Sequence, residues 1–151
     1  MKKDTLTVET DEHGTTTYCN ADGDFHNPHG PAVIYADGSK TYWINDQLHN
    51  SDGPAIVHAD GSIEYWINDQ LHNSDGPAIV YVDGHKEHYI KGKPHNPDGP
   101  AIVYADGHRE YWINGERLTE AEFKAWQSKQ SAPLHNKTAT IDGIEYTLTA
   151  K

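Results

Sequence analysis

Three kinds of side chain able to do chemistry recur at one interval along this chain. Histidines 26, 49, 72 and 95 each precede an asparagine and stand 23 residues apart. Imidazole in such a row suggests metal binding, proton transfer or a bond to backbone. A repeated two-stranded unit advances by about 10 Å, whereas zinc ligands sit about 2 Å from their ion, so no shared metal is expected along the row. The local pairs His85/His88 and His26/His29 lack a Cys partner and a helical zinc motif. No metal and no cofactor are expected. Aspartates 37, 60, 83 and 106 each precede Gly, and Asp52, Asp75 and Asp98 each precede Gly-Pro. Acid/base catalysis needs two carboxylates in a cleft that separates their pKa values, while Asp before Gly is explained by turn formation. The third row is Trp43, Trp66, Tyr89 and Trp112. It reads as a packing spine interleaved with Ala32, Ala55, Ala78 and Ala101, or else as a platform for stacking a sugar or base. Cys19 is the single cysteine and has no identifiable base, and no GxSxG, Walker loop, HExxH or CxxC is present. An enzyme is not expected.

The elements that must position these rows come from the same repeat. Gly-Pro-Ala at 30–32, 53–55, 76–78 and 99–101 sets a period of 23 residues, which marks an array rather than a globule with one central core. Each repeat opens with Gly-Pro and a β-rich run, passes an Asp-Gly pair, and continues into a second run such as Tyr42-Trp43-Ile44. Asp-Gly between two such runs is a strong hairpin signal. A two-residue turn would pair residue 34 with 41 and 32 with 43; a three-residue turn with a bulge would shift the register by one. A second turn (Asn45-Asp46, Asn68-Asp69, Lys91-Gly92, Asn114-Gly115) and a short connecting segment such as Leu48-His49-Asn50 return the chain for the next hairpin.

The expected architecture is mostly β: an elongated antiparallel β-hairpin repeat array with one C-terminal capping helix and a final hairpin. Residues 1–29 read as a degenerate N-terminal capping repeat with an insertion near Ala21. Four repeats occupy residues 30–118. Thr119 and Glu122 form a capping box that starts a helix over 119–130, with Phe123 and Trp126 on one face to cover the open sheet end. Residues 131–151 supply a loop and the terminal hairpin around Asp142-Gly143.

Composition narrows the function classes. The formal charge of −11 speaks against a nucleic-acid backbone binder, which needs Lys and Arg. It suits a partner with a basic surface. No run approaches the roughly 18 apolar residues of a membrane span, and the first residues lack the apolar core of a signal peptide. With one cysteine, a reducing compartment is the expectation, and the cytoplasm of a host cell the expected location.

The motif DGPAIVYADGHREYWING at 98–115, with its 23-residue period, resembles the MORN repeat family in its divergent bacterial and phage form. The resemblance covers about residues 15–118, and the ending WINGERLTEAEF with IDGIEYTL is similar to small phage proteins. It implies a β-hairpin scaffold for protein or lipid contact, without a catalytic motif. The third repeat departs from the pattern, with His88-Tyr89 in place of Tyr-Trp. The expected function is a non-enzymatic, phage-encoded binding protein whose sheet engages, and by analogy inhibits, a host protein such as a defence factor. The alternatives are a small-ligand protein sequestering a nucleotide or saccharide, with Lys86 and Arg109 as phosphate contacts, or a structural virion component. A monomer or small homo-oligomer is expected, with no membrane association. The candidate binding residues are Tyr35, Trp43, Trp66, Tyr81, His85, His88, Tyr89, Tyr104, Arg109 and Trp112.

Overall fold

In the computed structural model, residues 5–131, 137–141 and 144–148 are described, the side chains over residues 5–131. Met1–Leu118 and Thr119–Lys151 form two separate units. The first is a repeat array built on one antiparallel sheet of 11 strands, taken almost in chain order. It begins with Thr7–Thr10 paired to Thr16–Cys19. Each repeat then contributes two strands, Val33–Ile34 with Lys40–Thr41 in the first. The second strand of one repeat pairs with the first strand of the next, as Lys40 with Val57 and Thr41 with Ile56. Ile and Val fill the first strand of every repeat, where branched side chains suit a pleated surface packed against neighbours.

The first turn is the three-residue form. Ile34 pairs with Lys40 rather than with residue 41. The Tyr35 N–H donates to the Ser39 carbonyl at 2.9 Å, and the Gly38 N–H donates to the Tyr35 carbonyl at 3.0 Å. Gly38 closes the loop at φ +92°, a backbone region open to glycine and strained for other residues. The Asp37 carboxylate accepts the Ser39 N–H at 2.8 Å, and Asp60, Asp83 and Asp106 repeat this bond. Of the two registers compatible with the sequence, this one is therefore selected: a side-chain-braced turn with glycine at its third position outcompetes the two-residue form. The Ala32 N–H also donates to the Thr41 carbonyl, although Thr41 pairs with Val33, so two residues oppose one in a β-bulge. The alanines at 32, 55, 78 and 101 are fully buried there. Trp43 is thus not paired with Ala32, as the shorter turn would have had it.

Each repeat holds a second hairpin where the sequence suggested only a connecting segment. The β-rich run breaks at Tyr42, and Trp43–Ile44 pairs with Gln47–Leu48 across Asn45-Asp46. Asn45 and Asp46 have φ of +50° and +59°, the two positive values of a type I′ turn. Lys91 takes the same conformation at φ +52°. Only in the fourth repeat is the run continuous, Arg109–Ile113, and there Glu116–Leu118 joins the long sheet. The N-terminal segment follows the same plan. A three-residue loop, Ala21-Asp22-Gly23, stands between Asn20 and Asp24 where later repeats have two residues.

The second unit contains the helix Glu120–Gln130. Thr119 caps it: its hydroxyl accepts the Glu122 N–H at 3.2 Å, and Glu122 Oε2 accepts the Thr119 N–H at 2.7 Å. Buried Phe123 stacks on Trp126 with ring centroids 6.0 Å apart. Lys137–Ile141 pairs with Ile144–Leu148; the expected turn residues Asp142 and Gly143 lie outside the described residues. No helix among the described residues is long and apolar enough to cross a membrane.

Candidate functional site

This register decides which side chains meet. Directly paired residues point to one face, so Thr41, Glu64, Glu87 and Glu110 form a row with Val33, Ile56, Ile79 and Ile102 between them. The glutamates are largely covered, with side chains 13–17% exposed. Each uses one oxygen for the aromatic residue two positions later: Trp66 Nε1 and Trp112 Nε1 donate to Glu64 and Glu110 at 2.9 Å, and the Tyr89 hydroxyl donates to Glu87 at 3.0 Å. The first repeat substitutes a neutral acceptor, with Trp43 Nε1 donating to the Thr41 hydroxyl at 2.7 Å.

The other glutamate oxygen meets a cation-forming group, drawn from a different place in each repeat. His58 Nε2 lies 2.9 Å from Glu64 Oε1, His85 Nε2 lies 3.0 Å from Glu87 Oε1, and an Arg117 guanidinium nitrogen lies 3.0 Å from Glu110 Oε1. The His85 contact has ion-pair distance but poor alignment. It leaves the buried Nε2 without a hydrogen-bond partner among the described residues. Burial, followed by the bond to Glu87 and its charge, pushes the Tyr89 hydroxyl pKa up to about 12, so this phenol stays a neutral donor.

Toward the Asp-Gly turns runs a second row on this face. Tyr35, His58, Tyr81 and Tyr104 hold one repeat position, and Ser39, Ser62, His85 and His108 hold the position opposite, joined by backbone bonds of 2.9 Å. In the first half, Ser39 and Ser62 hydroxyls accept the N–H groups of Ala59 and Val82. In the second half imidazoles replace them, and rings run continuously. Tyr81 to His85, His85 to Tyr104 and Tyr104 to His108 have centroid separations of 5.2, 4.8 and 5.5 Å. Tyr35 and Tyr81 are 41% and 38% exposed, and His108 is exposed as well. Burial first, then the charges of nearby glutamates, raises the Tyr81 and Tyr104 pKa values.

Of the sequence candidates, Tyr35, Tyr81, His85 and Tyr104 thus share one row. Trp43, Trp66, Tyr89 and Trp112 share another, with the glutamates between. His88 and Arg109 do not join them: strand alternation places Lys86 and His88 opposite Glu87 and Tyr89, and Arg109 opposite Glu110. Half-buried His88 bonds through Nδ1 to the Ala101 carbonyl at 3.2 Å. Burial, aided by the Lys86 charge, lowers its pKa despite that bond. The glutamate row escaped the sequence reading. Its signal was present: Glu64, Glu87 and Glu110 keep the 23-residue period, each two residues before an aromatic and so on the same strand face.

The His-Asn rows serve the backbone. His26, His72 and His95 accept at Nδ1 the N–H groups of Asn45, Lys91 and Asn114 at 3.0–3.2 Å. His49 Nδ1 lies 2.8 Å from Asn68 Oδ1. The asparagines at 27, 50, 73 and 96 each donate at 2.9 Å to the carbonyl of the proline four residues on. Grooves lie between connecting segments, one lined by Tyr42, Ile44, His49 and Asn50 and another by His88, Ile90, His95 and Asn96. Their asparagine amides and most of their imidazole Nδ1 atoms are already used in these bonds. Burial, then Glu9, Asp46 and Asp24, raises the Cys19 thiol pKa and disfavours its thiolate. Among the described residues no group of three or more His, Cys, Asp or Glu is arranged to hold a metal ion. No protein-family model matches the chain, and a search of curated proteins finds no match either.

Proposed function

We propose that this chain is a non-enzymatic binding protein that engages another protein through the ring-bearing face of its sheet. The observation that carries this reading is the division of labour on that face. The Glu64, Glu87 and Glu110 carboxylates are committed to neighbouring aromatic, imidazole and guanidinium groups, while Tyr35 and Tyr81 remain exposed. Rigid aromatic area on a regular scaffold is what interface anchors require. Inhibition of a host factor in the cytoplasm of an infected cell is the finer reading, and its support is the resemblance to phage repeat proteins. Affinity capture from bacterial lysate tests it: a specific partner should be retained, and recovery of none across several salt concentrations overturns it.

The grooves beside His49 and His95 favour the second reading, a small saccharide or nucleotide. A thermal-shift screen separates the two, because a ligand at about 100 times its Kd stabilises by about 2.7 kcal/mol. The internal use of the groove amides places this reading second.

A further inference from the structure

The ring row has a chemistry of its own. Between residues 5 and 118 the sequence carries eighteen acidic and six basic side chains. Lys40, Lys86 and Arg109 occupy the strand positions opposite the glutamate face, and Arg117 is engaged by Glu110. Asp83 and Asp106 sit in the turns that immediately follow Tyr81 and Tyr104. Each braces its turn through a backbone N–H, and among the described ion pairs none joins either to a Lys or Arg. The row is therefore a line of aromatic rings, exposed at Tyr81 and His108, with acidic turns along its rim. That combination attracts cations through the ring quadrupole and the carboxylate charge together.

The spacing narrows the partner further. Tyr81 and Tyr104 are one repeat apart, with His85 midway at about 5 Å from each. A segment in the extended polyproline II conformation advances about 3.1 Å per residue with three residues per turn, so every third side chain returns to the same face about 9 Å on, close to the interval between repeats. We propose that the Tyr81–His85–Tyr104–His108 row, rimmed by Asp83 and Asp106, is the docking line for an extended protein segment bearing lysine or arginine at every third residue. This rests on the binding reading above and names the partner's chemistry.

Fluorescence anisotropy at low ionic strength tests it with a short labelled peptide carrying arginine at every third position. The comparators are a peptide of the same composition with its arginines in one block, and free spermidine. The spaced peptide should bind tightest. Tyr81→Leu and Tyr104→Leu should each weaken it about tenfold through loss of a cation–π contact. Lys40→Gln, on the other face, should leave it unchanged. If the leucine variants fail to fold, the double variant Asp83→Asn/Asp106→Asn decides: Asn retains the turn bond but removes charge, so affinity and its salt dependence should both fall. Equal binding of the blocked peptide or spermidine overturns the proposal, as does indifference to these substitutions. A partner captured from lysate whose retention ignores them would sink the docking line and leave the binding reading standing. No captured partner and no peptide binding would remove both.

Discussion

At the scale of single residues, the bond between each aromatic and the acceptor two positions before it sets the energetics of the face. Trp66 donates to a covered carboxylate, whereas Trp43 donates to a hydroxyl. Removing a donor strands its acceptor, and the loss is larger for a charged group. Trp66→Phe should therefore cost about 1–3 kcal/mol and Trp43→Phe about 1 kcal/mol in urea denaturation. Equal losses would mean that ring packing alone matters. His88 makes a second residue-scale case. Its folded pKa is lowered, chiefly by burial, so the unfolded chain takes the proton first as pH falls. The stability it contributes is whole above the ordinary histidine value of about 6.5 and is lost as pH drops through the lowered folded value. Tyrosine occupies the equivalent positions 42, 65 and 111. His88→Tyr should flatten the decline in thermal midpoint below neutral pH, and an unchanged slope would assign the acid sensitivity elsewhere.

At the scale of the element, two turn chemistries fix the repeat. Gly84 sits at φ +93°, and nothing lies within 4 Å of where its Cβ would be. Space is open, so conformation alone penalises Gly84→Ala, by about 1–2 kcal/mol. Lys91 tests the converse. It holds φ +52° where the other repeats use Asn45, Asn68 and Asn114, and Asn tolerates this region better than Lys. Lys91→Asn should raise stability by a fraction of 1 kcal/mol up to about 1 kcal/mol, read as a higher urea midpoint. A drop would show that the Lys91 side chain has a role beyond the turn.

At the scale of the molecule, each repeat makes the same backbone bonds to the next. The N–H groups of Asn27, Asn50, Asn73 and Asn96 donate to the carbonyls of Trp43, Trp66, Tyr89 and Trp112 in turn, all at 3.1 Å. An array bonded this way has no repeat on which the others uniquely depend. Deleting residues 53–75 joins equivalent positions, so the shortened chain should keep its circular-dichroism signature and unfold cooperatively. Its urea m-value should be lower, because less surface is exposed on unfolding. Loss of the folded signal would show a coupling that nearest-neighbour bonding does not contain.

Much of this was readable before any coordinates. The 23-residue period, the β-rich runs and the Asp-Gly turns at positions 37–38, 60–61, 83–84 and 106–107 define an antiparallel hairpin array, because periodic turn residues and branched side chains act locally. The helix start was legible at Thr119 and Glu122 for the same reason: a capping box is closed within three residues. The register was not legible. Asp37-Gly38 is compatible with two turn lengths, and only the pairing of Ile34 with Lys40 selects one. That single step moves Trp43 away from Ala32, sets Ile79 and Ile102 between the glutamates and brings the tilted rings of repeats three and four together. Local sequence specified the hairpins, whereas the choice of facing side chains depends on pairing between strands, where a shift of one residue exchanges the faces.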